Sequence, residues 1–387
     1  MSELVETPAS LYRGGTSKAL MLNAADLPCK PGPQLDQWIL AALGSPDPLQ
    51  LDGVGGGRPA TSKMAIISKS KRNDADVDFT MAVVKIHSSD VDWSQNCGNI
   101  ISAVGPFAID QGLFSPNGRS AKIRIYNTNT NAVIVSTFKL DSAQNPKVFG
   151  RQSIDGVPGT GAPIELDFSK SAGGATGKLF PTGSPRDSVV VNSHRYEYSL
   201  IDFANLMAFL PATAFGLTGN ENPADLNNDS KLLKTVEQVR GEIAFRVGLA
   251  SSAATAFKET SGMPYLLLVS KPKAWHDNKI LFKPSSCDFM LRAFCTGTAH
   301  ATLPGTASVC AGVGARIKNT ILSDFVTNSA SQNSLLRLGH PQGIIEVESR
   351  VKKKDGTWWV KEASIVRTAR KLMTGIIYVP ANYANKK

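Results

Sequence analysis

Two stretches of this chain gather side chains able to move protons or hold charge. The first is Asn96-Cys97-Gly98-Asn99, followed by the apolar, small-residue run from Ile100 to Asp110. A cysteine at the mouth of a helix faces unpaired backbone N–H groups and the positive end of the macrodipole. Both favour thiolate over thiol, and the thiolate is the form that does chemistry. The competing reading is a buried cysteine that packs as a small hydrophobe. The second stretch is the loop Leu51-Asp52-Gly53-Val54-Gly55-Gly56-Gly57-Arg58-Pro59-Ala60-Thr61-Ser62-Lys63. It lacks the Gly-Lys-Ser/Thr order of a nucleotide-binding loop and leads into a strand, which leaves backbone closing over a small anion as its expected use. Arg58 offers a fork for a carboxylate, or is simply solvated.

Pro304-Gly305-Thr306, with a small-residue run behind it, repeats the turn-then-helix pattern of Cys97 late in the chain. Two such helix N-termini facing one another would clamp a polyanion; two unrelated glycine turns are the alternative. His340, in Gly339-His340-Pro341, is a candidate general base or substrate contact, with a buried or turn-stabilising histidine as the alternative. His87, His194, His276 and His300 show no metal-ligand spacing.

These residues must be positioned by a chain of 387 residues, long enough for two domains or two related lobes. Hydrophobic content of 42% with 19% charged residues is globular, and the 33 Gly and 22 Pro imply many turns. Five cysteines form no CxxC pair, and the first ten residues are polar and acidic, unlike a secretory or transit leader. Reduced thiols in a cytoplasmic protein are therefore expected. No apolar run is long enough to span a membrane. The formal charge of +10 suits anionic partners. Basic residues are dispersed apart from Lys69-Ser70-Lys71-Arg72 and Lys352-Lys353-Lys354, and no stacking motif accompanies them, which disfavours nucleic acid.

The periodicity predicts two short strands over Ala9 to Leu22, broken at Gly14-Gly15, and a helix over Gln34 to Leu43. Strands follow at Met64 to Ser68, Val77 to Ile86, Ala121 to Tyr126, Ala132 to Leu140 and Ile164 to Phe168. Ser169 to Ser184, rich in Gly, Ser, Thr and Pro, is the expected crossing between lobes. Beyond it, strands are predicted at Ser188 to Asn192, Arg195 to Phe203 and Tyr265 to Ser270, and a helix at Leu232 to Val247. Gly343 to Val351 and Trp358 to Thr368 alternate as paired strands, and Gly375 to Val379 closes the chain. The expected division is 1–184 and 185–387, with the last strands crossing back to the first lobe.

The ordered set of motifs resembles PrpF-type proteins. It comprises Leu11-Tyr12-Arg13-Gly14-Gly15-Thr16-Ser17-Lys18, Asp52-Gly53-Val54-Gly55-Gly56, Thr61-Ser62-Lys63, Asp92-Trp93-Ser94-Gln95-Asn96-Cys97-Gly98-Asn99 and Val104-Gly105-Pro106-Phe107-Ala108-Ile109. Leu179-Phe180-Pro181-Thr182-Gly183, Arg246-Val247-Gly248-Leu249, Gly339-His340-Pro341 and Thr368-Ala369-Arg370-Lys371-Leu372-Met373 continue it. The resemblance implies an α+β, diaminopimelate epimerase-like fold: two similar lobes, each a curved, mostly antiparallel sheet around a central helix, with the active site between them. It implies a cofactor-independent isomerase of unsaturated tricarboxylates or dicarboxylates, with Lys63 and Cys97 as the catalytic pair. Epimerases of this fold carry a second cysteine at the later Gly-Thr turn. Here Pro304 stands there, so a two-thiol racemase is disfavoured, and Cys287, Cys295 and Cys310 are read as packing residues.

Two further departures bear on the substrate. Gly57-Arg58-Pro59-Ala60 replaces a Ser/Thr-rich stretch of bacterial PrpF-like chains, and Asp202-Phe203-Ala204-Asn205-Leu206 replaces an Asn-Ala-Gly-x-Pro segment. The expected reaction is conversion of cis-aconitate to trans-aconitate by an allylic 1,3-proton shift, which needs one base, one acid and donors where charge accumulates. Arg13, Ser17, Lys18, Arg58, Asn96, Gly98, Asn99, Gly305, Thr306 and His340 are the candidate substrate contacts. That chemistry requires no metal or organic cofactor. The expected partners are a small polycarboxylate and a second copy of the chain in a homodimer, with neither nucleic acid nor membrane. The rivals are a methylitaconate or 2-methylaconitate isomerase using the same residues, and a non-catalytic accessory protein of a dehydratase.

Overall fold

The computed structural model describes residues 3–94, 96–277, 280–327, 330 and 333–384. Gln95, within the cysteine motif, lies outside them. The chain divides into two compact units: one runs to Leu166 and resumes at Arg367, and the other spans Asp167–Val366.

In the first unit, Leu4–Gly14 and Ser17–Asn23 form an antiparallel hairpin, and Ser17–Asn23 then pairs parallel with Lys63–Lys69. Lys63–Lys69 is antiparallel to Val77–Val84, which runs parallel to Ser120–Asn127, itself antiparallel to Ala132–Lys139. The late strand Ala369–Pro380 pairs with Leu4–Gly14. Ser17–Asn23 and Lys63–Lys69 are apolar at successive positions because both faces are covered. Leu20, Leu22, Met64 and Ile66 pack with Leu35, Trp38, Ile39 and Leu43 of the helix Pro33–Leu43. The alternate positions Ala19, Met21, Ala65 and Ile67 are buried on the opposite face. Proline at the first turn and Gly44 in the left-handed region bound that helix, as helix signals predict. Trp38 is fully buried, and truncating it to alanine would cost about 3–5 kcal/mol.

The helix Gly98–Asp110 is buried all round, at every position from Gly98 to Ala108, and is mostly apolar, with the Asn99 and Ser102 side chains hydrogen-bonded. Its small residues let the sheet close on it.

In the second unit, Asp187–Val191 pairs antiparallel with His194–Phe203, and His194–Phe203 with Asn205–Pro211. Asn205–Pro211 runs parallel to Tyr265–Ser270, and Tyr265–Ser270 antiparallel to Phe289–Cys295. Phe289–Cys295 is parallel to Leu335–His340, which turns back into Gly343–Lys354. The helix Ser230–Arg246 packs through Leu232, Val236, Val239 and Ile243, and Gly305–Gly314 is the wholly buried helix. This unit begins at Asp167, earlier than the 184/185 boundary expected from composition. The polar stretch after it is tied to its own unit. Gly173 N–H donates to Asp202 O, Ala204 N–H to Ser171 O, and the Asp202 carboxylate accepts from the Ala175 and Thr176 amides. Glycine and serine richness here marks a folded turn, not a linker. Among the described residues, no helix is long and apolar enough to cross a membrane.

Candidate active site

Lys63 opens its strand directly after the glycine-rich loop, and Cys97 is the cap residue of Gly98–Asp110, with extended backbone at φ −130° and ψ 94°. Strand and helix bring the two together: Lys63 Nζ donates to Cys97 Sγ at 3.2 Å. Ser17 Oγ lies 3.8 Å from the same sulfur. Burial pushes the Cys97 thiol up. The positive charge of Lys63, the Ile100 amide at the helix start, and the hydrogen bonds with Lys63 and Ser17 outweigh it, and the net direction is down. The other buried cysteines lack this setting. Burial raises Cys287 to about 11, and it raises Cys310 well above the usual thiol range. None of the five cysteines, all among the described residues, is in a disulfide. Burial alone therefore does not activate a thiol in this protein; the lysine beside Cys97 makes the difference.

Asn99 works as a clamp. Its Nδ2 donates to Thr16 Oγ1 at 3.0 Å, and its Oδ1 accepts from Arg367 Nε at 3.1 Å. Burial lowers Arg367 to about 10. The hairpin turn crosses so closely that a Cβ on Gly15, at φ +49°, would overlap Asn99 Oδ1. That approach explains Gly14-Gly15: it seats the Ser17 end of the hairpin against the helix that carries Cys97. Arg13 serves the same turn, donating to Gly15 O at 3.0 Å and Thr368 O at 2.9 Å. Arg13 and the Asn99 side chain are thus bound to protein groups, and the amides of Gly98 and Asn99 remain as donors with no partner inside the helix. Asn96 is buried, and its Oδ1 accepts from Asn127 Nδ2 at 2.6 Å.

The glycine-rich loop is built differently from an anion cradle. Gln50, buried and at φ +49°, accepts through Oε1 from Gly57 N–H at 2.8 Å and Ser62 Oγ at 2.6 Å. A Cβ on Gly55 would overlap that same oxygen. The loop glycines let backbone close on Gln50 and on the end of Pro33–Leu43, and the loop delivers Lys63. Arg58 is exposed, and its carbonyl accepts from Thr61 N–H and Ser62 Oγ. Lys18 N–H donates to Ala60 O at 2.9 Å, which joins the hairpin to this loop. No ion pair of Arg58, Lys18 or Lys63 occurs among the described residues.

Gly305, Thr306 and His340 lie in the second unit. Gly305 and Thr306 form the buried start of Gly305–Gly314, capped by Pro304, and Ser308 Oγ donates to Gly305 O at 2.7 Å. His340 is buried, and its Nδ1 accepts from Gln342 N–H at 3.2 Å within the Leu335–Lys354 hairpin. This is the turn-stabilising geometry. Gln50, Asn127, Asn129 and Arg367 were not singled out by sequence. The Asn-Thr alternation from Asn127 to Asn131 was a readable signal, because a tight hairpin needs only two such residues. No cluster of three His, Cys, Asp or Glu side chains able to hold a metal occurs among the described residues.

Residues 4–380 match the family described as PrpF protein. The chain is 38% identical to 3-methylitaconate isomerase of Eubacterium barkeri, over 98% of each chain. It is 33% identical to 2-methyl-aconitate isomerase of Cupriavidus necator, again over 98% of each. The crystal structure of a methylitaconate-delta-isomerase superposes with a TM-score of 0.82 at 36% identity, covering 100% of this chain and 98% of the other. A hydroxyproline epimerase from Agrobacterium vitis, 11% identical with a TM-score of 0.57 over 97% and 93%, shares the fold alone. The architecture is the diaminopimelate epimerase-like fold. By family model and by relatives matched along nearly their whole length, this chain belongs to the PrpF family.

Proposed function

We propose that this isomerase moves a double bond in an unsaturated polycarboxylate by 1,3-proton transfer, with Cys97 and Lys63 as an unlike acid/base pair. The observation that carries the reading is the 3.2 Å Lys63–Cys97 contact together with the downward shift of the thiol. A thiolate beside an ammonium is a base with an acid at hand. In this reading Cys97 removes a proton from the methylene between alkene and carboxylate. The negative charge spreads across the allylic carbons into the carboxylate, and Lys63 returns a proton at the far carbon. The Gly98 and Asn99 amides and the helix dipole favour the accumulating charge.

cis-Aconitate is the proposed substrate. Its carbon skeleton is symmetric about the central carbon, so a 1,3-shift regenerates aconitate with the alkene on the other arm and free to be trans. A backbone bond from Lys18 N–H to Ala60 O joins the segments that carry Lys18 and Arg58, and these two cations are the proposed partners of a third carboxylate. The 38% identity to 3-methylitaconate isomerase favours a second reading, a branched dicarboxylate with the same proton path. Proton NMR of the purified protein with each acid separates them. The account expects faster conversion of cis-aconitate; turnover confined to methylitaconate would overturn the tricarboxylate assignment, and turnover of neither would overturn the function.

A further inference from the structure

Residues outside the pair tie together the segments that carry Lys63 and Cys97. Lys63 pairs with Val83, and two residues before Val83 the strand carries Met81. The Asn129 side chain mimics a neighbouring strand at Met81, accepting from its N–H at 2.8 Å and donating to its C=O at 2.9 Å. The same Nδ2 donates to Trp93 O at 2.6 Å. Asn127, fully buried, accepts through Oδ1 from the Asn129 and Thr130 amides and donates through Nδ2 to Asn96 Oδ1 at 2.6 Å. One turn therefore grips the strand beside Lys63 and two points of the segment that delivers Cys97.

We propose that Asn127 and Asn129 are positioning residues for the Lys63–Cys97 pair, a buried carboxamide relay that fixes the cysteine segment against the lysine's sheet. The kinetic half of this inference rests on the acid/base reading of the pair; the geometric half does not. Water cannot easily replace a partner lost inside the relay, so a cut end must move or remain unsatisfied. The second unit supplies an internal comparison. Its matching hairpin closes directly at His340 and Gly343, with no asparagine turn, and that unit has proline where the first has Cys97. The relay accompanies the reactive pair, not the fold. Charged groups around the segment are Lys63 at the sulfur, Arg367 on Asn99, Asp36, whose carboxylate accepts from Trp93 Nε1, and Asp92, whose carboxylate accepts from Ser94 N–H and Oγ.

The test uses the full chain with Asn127→Ala, Asn96→Ala, the double variant, and Thr80→Val as control. The control removes the hydrogen bond between the Thr80 and Thr128 hydroxyls, which lies at the same turn but outside the relay. Iodoacetamide alkylation of Cys97 is followed against pH by peptide mass spectrometry, well below each variant's melting temperature. Either asparagine variant should raise the alkylation midpoint by about one pH unit. The double variant should go no further, and the control should match the wild type. With a turned-over acid, kcat should fall roughly ten- to a hundred-fold while KM changes little. Melting temperatures that drop while midpoint and kcat stay at wild-type values would reduce the relay to ordinary scaffolding and overturn the proposal. So would single-variant shifts that add in the double variant. Failure of the isomerase reading is distinguishable: the wild type would turn over no acid, while the alkylation profiles still decide the relay.

Discussion

The two units share one sequence of pairings and differ in their chemistry. Each runs antiparallel hairpin, parallel, antiparallel, parallel, antiparallel hairpin through its main strands. Each inserts an amphipathic helix before its third strand and a wholly buried helix before its fifth. At matching points the first unit has Lys63 where the second has Tyr265, and Cys97 where the second has Pro304. The frame is thus independent of the pair: packing of apolar strands on two helices builds it twice, and in the proposed reading the residues at two element ends set whether it carries an acid/base pair. Proline fits the first-turn region of a helix as well as cysteine does and cannot transfer a proton.

The largest effect should come from removing either member of the pair. Cys97→Ala and Lys63→Ala should each lower kcat by about 10²–10⁴-fold with a melting temperature close to wild type, read by NMR turnover and circular dichroism. Pro304→Cys, which adds a thiol to the second unit without a lysine at Tyr265, should leave turnover within about two-fold, because only an unlike pair in the first unit is required. A large gain or loss there would break the comparison.

The pH dependence sharpens it. Cys97 lies below the ordinary thiol range because of Lys63, so the reactive thiolate persists toward lower pH and is lost as pH falls through the depressed value. Lys63→Met removes the lowering charge and leaves the burial that raises the thiol. The alkylation midpoint should move up, past that of an ordinary cysteine. Cys310, buried without a lysine, should stay inert to iodoacetamide at neutral pH in the same digest.

Matched packing changes should give the smallest difference in stability and a clear one in reactivity. A Cβ on Gly105 would meet Phe138 at 2.6 Å, and one on Gly312 would meet Val347 at 2.7 Å. Gly105→Ala and Gly312→Ala should therefore cost similar stability, about 1–3 kcal/mol each by urea unfolding. Gly105→Ala alone should also shift Cys97 alkylation, since it displaces the helix that the cysteine caps.

Most of the frame was legible because its signals are local. Alternation marked Ala121 to Tyr126 and Ala132 to Leu140, and helical periodicity marked Gln34 to Leu43 and Leu232 to Val247. Asn205–Pro211 was not predicted as a strand: it is buried at nearly every position, and an unbroken apolar run gives no period. Its turn through Ala204, at φ +58°, carries no glycine to announce it. Cys97 could be picked out by its place before a small-residue helix, and its pairing with Lys63 only through the resemblance to a family. The supporting residues were hidden for a different reason. The Asn-Thr run showed a turn but not its partners: Asn127 reaches the Asn96 side chain, Asn129 the Met81 and Trp93 backbone, and Gln50 the Gly57 amide and Ser62 hydroxyl, and no spacing rule reports such contacts. Arg13 and the Asn99 side chain, expected to hold carboxylates, hold the turn that seats the hairpin on the helix, a role their spacing did not announce.

The central claim is that a proton leaves substrate to one residue and returns from another. Wild-type protein mixed with cis-aconitate in heavy water, followed by proton NMR, tests it directly. The account predicts trans-aconitate carrying one solvent deuterium in its methylene, at a rate that collapses in both Cys97→Ala and Lys63→Ala. Product free of deuterium, or near-wild-type rates in either variant, would contradict it.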